Sequence, residues 1–94
     1  MMEDTQKLTE LRAEIDTIDR ELASLLNKRA RLSLRARIAK GGTTIYRPER
    51  EKQVLENITK SNKGPLSNEA LKTLFQSIIF VCRSIQEVTI KKGS

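Results

Sequence analysis

Residues 8–40 read LTELRAEIDTIDRELASLLNKRARLSLRARIAK, and this stretch decides the fold. Its apolar residues fall at Leu8, Leu11, Ile15, Ile18, Leu22 and Leu25, alternately three and four apart. That spacing keeps one face of an α-helix apolar along a seam. The register continues through Arg29, Leu32, Ala36 and Ala39, with no Pro or Gly inside it. It predicts one long helix from about Asp4 or Thr5, either of which suits an N-cap, to about Lys40.

Outward from this helix, the chain is punctuated twice, by Gly41-Gly42-Thr43-Thr44 and by Ser61-Asn62-Lys63-Gly64-Pro65. A second helix is predicted from Pro48, whose missing N–H costs nothing at the first helical position. Glu49 and Glu51 complement the dipole of its first turn, Val54, Leu55 and Ile58 form its apolar face, and it ends near Ser61. Ser67 is the expected N-cap of a third helix, with Leu66 and Leu71 placed as a hydrophobic staple. Leu71, Leu74, Phe75, Ile78, Ile79, Cys82 and Ile85 make its stripe, fraying by Lys91. The expectation is an all-α, three-helix chain, one domain over residues 1–94.

Composition agrees. Hydrophobic residues are 37% of the chain and aromatics 3%, a narrow-striped helical balance poorly suited to a β-sandwich. No apolar run reaches the roughly 18 to 20 residues that cross a bilayer, and the opening residues lack a signal peptide's apolar core. One Cys and no His exclude an intrachain disulfide and Ser–His catalysis and speak against a zinc site. The chain reads as soluble and cytoplasmic, with neither metal nor cofactor. Eighteen Lys and Arg against twelve Asp and Glu leave +6, which calls for an anionic partner. Nucleic acid, an acidic protein and a small polycarboxylate all satisfy that charge.

Length adds a second expectation. A helix of about 36 residues is a rod of about 54 Å, whereas a compact chain of this size is roughly 30 Å across. Two shorter helices cannot cover such a seam, so part of it is expected to bury against a second copy in a homodimer.

The placement of the cations narrows the anion. Arg29 stands on the seam where the pattern calls for Leu, and Lys40, eleven residues on, is only about 20° away around the helix. Ser33 and Ala36 lie between them, leaving a notch with a positive charge at each end. Arg50 precedes Val54 by four and Ile58 by eight; Glu51 precedes Leu55 by four; Gln86 follows Cys82 by four and Ile79 by seven. Singly, each has a plain alternative: a snorkelling Arg, an interhelical ion pair, a satisfied buried amide. Together, several inward cations with few inward anions point to a small-anion site within the bundle. Arg31, Arg35 and Arg37 read instead as a solvated face.

The set Leu11-Arg12, Ile15-Asp16, Ile18-Asp19, Leu25-Leu26-Asn27-Lys28-Arg29 and Lys40 resembles the all-helical class of chorismate mutase. So do Tyr46-Arg47-Pro48-Glu49-Arg50-Glu51 and Phe75-Gln76-Ser77-Ile78-Ile79 followed by Cys82 and Gln86. The resemblance spans nearly the whole chain and is greatest to the short mutase domain, free-standing or at the front of bifunctional aromatic-biosynthesis proteins. It implies an intertwined homodimer and an isomerase that rearranges chorismate, a dicarboxylate, to prephenate. It further implies that Arg29 and Arg50, with Arg12 from the partner chain, hold the two carboxylates. Lys40 and Gln86 would contact the ether oxygen, and Glu51 would accept from the ring hydroxyl. Arg47 stands where the family often has aspartate, and Cys82 where a serine can assist a carboxylate; a thiol is the weaker donor. Cys82 alone also reads as a small buried hydrophobe.

Three rival functions stand against this. Isochorismate pyruvate lyase shares the fold, but Glu51 argues for the mutase, because the lyases tend to carry an apolar residue there. Nucleic-acid binding through Arg29, Arg31, Arg35, Arg37 and Lys40 lacks a helix-turn-helix or a basic-region–zipper division. A non-catalytic dimerisation module is the third.

Overall fold

The computed structural model of the chain describes residues 2–41 and 47–93, with side chains described for residues 4–41 and 47–85. Three helices follow in order: α1 (Met2–Ala39), α2 (Pro48–Lys60) and α3 (Asn68–Gly93). The described residues contain no strand. The long helix therefore begins two or three residues before either expected cap, and α3 runs to Gly93, two residues past Lys91. Gly42, Thr43, Thr44 and Tyr46 lie outside the described residues.

Each helix end has a local cause. At the end of α1, the Lys40 N–H is shared between the Ala36 and Arg37 carbonyls, at 3.2 and 3.1 Å, and the Gly41 N–H reaches Ile38 O at 3.0 Å. The chain then turns out of the helix at Gly41, whose φ of +83° is the left-handed conformation that ends many helices and favours glycine. Helix α2 starts at Pro48 with acidic residues in its first turn, and the extended Arg47 contributes its carbonyl to the Glu51 N–H rather than a side-chain cap. Between α2 and α3 one side chain organises the turn. Asn62 Nδ2 donates to Leu66 O and to Asn68 Oδ1, both at 2.8 Å, while its Oδ1 accepts from the Gly64 N–H. Ser67 caps α3 as its position predicts, its Oγ accepting from the Ala70 N–H at 3.1 Å.

Helix α3 packs against both α1 and α2, and it is the element that joins the other two. The chain is extended, 60 × 30 × 16 Å, with a radius of gyration of 17.6 Å, against roughly 12 Å for a compact chain of this length. Its accessible surface is 7924 Å², where a compact monomer of this mass has about 5500 Å². The apolar seam explains the difference. Leu8, Leu11, Ile15, Ile18, Leu22 and Leu25 are each 46 to 61% exposed within one chain. Val54, Leu55 and Ile58 of α2 and Leu71, Phe75, Ile78 and Ile79 of α3 are half-buried, whereas Leu74 and Ile85 remain exposed. Among the described residues only Arg37 and Cys82 are buried.

Because the α3 cap rests on one hydroxyl, Ser67→Ala is expected to destabilise the fold by about 1 kcal/mol and Ser67→Asp to leave it nearly unchanged. Urea unfolding followed by circular dichroism measures both; equal midpoints for Ala and Ser would show the cap to be idle.

Candidate active site

Where the C-terminal half of α1, the first turns of α2 and the later turns of α3 converge, they enclose a cleft of about 800 Å³. The long helix and the turn just after it supply Arg29, Ser33, Ala36 and Lys40, whose spacings of four, three and four return to one face, and Arg37 at the edge of that face. The start of α2 supplies Arg47, Glu49, Arg50 and Glu51, and α3 supplies Ile79, Cys82 and Arg83.

Six cations line the cleft, Arg29, Arg37, Lys40, Arg47, Arg50 and Arg83, against the two carboxylates of Glu49 and Glu51. The excess of four positive charges in a partly enclosed space favours an anionic guest, and one bearing more than a single charge.

Two contacts across helix interfaces order this lining. Arg29, half-buried, donates from Nη1 to Cys82 Sγ at 3.3 Å. The free thiol, 6% exposed, thus serves as an acceptor that holds an arginine in place. One residue further along α3, Arg83 Nη2 donates to Glu51 Oε1 at 3.0 Å. Within α2, Arg50 Nη1 donates to Gln53 Oε1 at 2.6 Å, and its side chain is exposed on the rim. Lys40, in the turn just after α1, also lines the cleft and is exposed.

Of the residues singled out in the sequence, the cleft brings together Arg29, Lys40, Arg47, Arg50, Glu51 and Cys82, with Ser33 and Ala36 forming the small-residue floor between the first two. Arg12 is not among them. It is exposed on α1, seventeen residues before Arg29 and so about 25 Å away along the rod. The Gln86 side chain lies outside the described residues.

Two cleft residues escaped the sequence reading. Arg37 is not part of a solvated face: it is 8% exposed and lines the cleft, while Arg31 and Arg35 are exposed as expected. Its charge suggested solvent, yet it follows Ser33 by four and precedes Lys40 by three, close enough to the notch for α2 and α3 to cover it. Arg83 follows Ile79 by four, the same signal that singled out Gln86 after Cys82.

A family model described as chorismate mutase type II matches residues 11–87. The chain belongs to that family. The chorismate mutase from Helicobacter pylori, solved in complex with prephenate, superposes with a TM-score of 0.83 at 34% identity, covering 89% of this chain and 93% of that one. The chorismate mutase of Thermus thermophilus gives 0.79 at 32% identity, with 86 and 94% covered. Among curated relatives, the bifunctional chorismate mutase/prephenate dehydratase of Neisseria gonorrhoeae is 43% identical over 75 residues, 80% of this chain and 21% of the relative. That of Pseudomonas aeruginosa is 38% identical over 93 residues, 92% of this chain and 26% of the relative. The chain thus spans about a quarter or less of the length of these curated relatives and corresponds to their chorismate mutase portion.

If the cationic excess governs binding, a small dicarboxylate such as malate should bind several-fold more weakly at about 200 mM than at about 50 mM salt. Isothermal titration measures this. Affinity indifferent to salt would show that the cleft's charge is already neutralised.

Proposed function

We propose that the cleft binds chorismate and rearranges it to prephenate. The observation that carries the reading is the meeting of Arg29, Arg50 and Lys40 around one cleft with excess positive charge, in a chain of the chorismate mutase family. Prephenate, the ligand named for the Helicobacter pylori relative, is the product of that reaction. The substrate carries two carboxylates, and the planar fork of an arginine matches a carboxylate better than an ammonium does.

The reaction breaks one C–O bond as it forms one C–C bond, within a single molecule and without proton transfer. What the protein contributes is conformation and charge. The enolpyruvyl arm must fold over the ring, and Arg29 and Arg50 clamping separate carboxylates hold the reacting carbons near bonding distance. The Cys82 thiol assists indirectly, as the acceptor that orients Arg29. Negative charge grows on the ether oxygen as its bond lengthens, and Lys40 and Gln86 are the donors assigned to it. Glu51 accepts from the ring hydroxyl, a contact that also favours this substrate over the isomeric substrate of the lyases on the same fold. Arg47 stands at the start of α2 as a further cation on the rim.

A third arginine for the carboxylates is assigned to the partner chain, and the exposed seam supplies a reason to look beyond one copy. The accessible surface exceeds that of a compact monomer by roughly 2400 Å², the scale of an obligate interface. In an antiparallel, intertwined homodimer the seam of each long helix is covered, and Arg12 of one copy enters the cleft of the other. No helix among the described residues is long and apolar enough to cross a membrane.

Incubated with chorismate, the chain is expected to consume it with stoichiometric formation of prephenate, followed by ultraviolet absorbance and chromatography. Lys40→Ala should lower kcat by a factor on the order of 10² to 10³, about 3 to 4 kcal/mol of transition-state stabilisation. Turnover near that of the parent chain would remove Lys40 from the chemistry, and release of pyruvate from isochorismate in place of prephenate from chorismate would reassign the enzyme to the lyases. Sharing of sites is tested by mixing an Arg12→Ala chain with an Arg29→Ala chain. Each heterodimer should recover one of its two sites; absence of recovery after demonstrated subunit exchange would confine each site to one chain.

A further inference from the structure

Glu51 shares its cleft with six cations. A carboxylate free to swing within such a cleft would be drawn into ion pairs with the arginines assigned to the substrate's carboxylates. In this chain it is held elsewhere. Arg83, reaching from α3, donates from Nη2 to Glu51 Oε1 at 3.0 Å, with both side chains about three-quarters buried at 26 and 25% exposure. Both residues line the cleft. Arg50, the immediate neighbour of Glu51 in sequence, is turned instead to Gln53.

We propose that Arg83 is a positioning residue: it fixes Glu51 so that Oε1 is engaged and Oε2 is presented to the substrate, and it keeps Glu51 from neutralising the carboxylate clamp. The proposal rests on the reading of Glu51 as acceptor of the ring hydroxyl. A carboxylate has lone pairs on both oxygens, so one can be anchored while the other remains an acceptor. Three side-chain torsions would otherwise let the group swing between partners, and a single fork reaching from the next helix removes that freedom. Consecutive residues of α3 then perform parallel tasks. Cys82 holds Arg29 on α1, and Arg83 holds Glu51 on α2.

The ring hydroxyl takes no part in bond breaking, so its contact contributes about equally before and during reaction, and losing its orientation should appear in KM rather than kcat. The test is a double-mutant cycle on the full chain with chorismate as substrate. Arg83→Met is expected to raise KM about tenfold with kcat within about threefold, and Arg83→Lys to restore most of the loss. In a Glu51→Gln background, Arg83→Met should change KM by less than about twofold. An equal rise in both backgrounds, or none in either, overturns the proposal, since Arg83 would then act independently of Glu51 or not at all. Should Arg83→Met fail to give the parent's helical circular dichroism, Arg83→Ala, which likewise offers no donor to Oε1, takes its place in the same cycle. Failure of the underlying reading is distinct. If Glu51→Gln alone leaves KM unchanged, or if the parent chain forms no prephenate, the role of Glu51 falls and that of Arg83 with it.

Discussion

A 38-residue amphipathic helix whose apolar face its own chain cannot cover is the constraint on which the rest of this structure depends. Hydrophobic surface left in water costs on the order of 25 cal/mol per Å², so a seam from Leu8 to Leu25 that stays half exposed is a large unmet driving force. Among the described residues there is no conventional core to compensate. The two that are buried, Arg37 and Cys82, are at the cleft rather than under a packed apolar layer. Folding and site assembly are therefore closely linked: the contacts that bury α3 against its neighbours are the same ones that shape the cleft.

Helix α3 carries that linkage. It packs on both other helices, and through adjacent side chains it reaches a cleft-lining side chain on each, Arg29 by way of Cys82 and Glu51 by way of Arg83. Each contact is polar and partly shielded from water, where a misplaced partner is penalised more heavily than on an open surface. Such contacts contribute less to net stability than to orientation. In the proposed function, clamping two carboxylates depends on orientation, because a small displacement of an arginine fork alters the angle at which the two reacting ends meet.

Charge placement was legible where helical spacing alone fixes direction. Arg29, Ser33, Ala36 and Lys40 lie on one face of a continuous helix, and the cleft is built on that face. Arg50 and Glu51 were legible because they extend the apolar rows of α2. Arg37 and Arg83 were missed for a shared reason. Both stand at the edge of their helix's inward face, where direction around one helix does not say whether a neighbouring helix covers the position. Side-chain type then pointed toward water, and for these two the neighbouring helices decided otherwise. Cys82 is the small buried residue that its place on the stripe allows, and its sulfur accepts from Arg29, a contact that no spacing along α3 marks.

The sequence by itself determined what depends on neighbours along the chain: three helices, the Ser67 cap of α3, the seam, and which cations share a face. These follow from backbone geometry and local hydrogen bonding, which act over a few residues and leave periodic marks. Only the tertiary structure decided which residues meet from different helices, that Arg83 rather than Arg50 pairs with Glu51, and that Arg37 is covered. Those outcomes depend on how closely α3 approaches α1 and α2, a balance among long side chains with several partners within reach, and no spacing along a single helix encodes it.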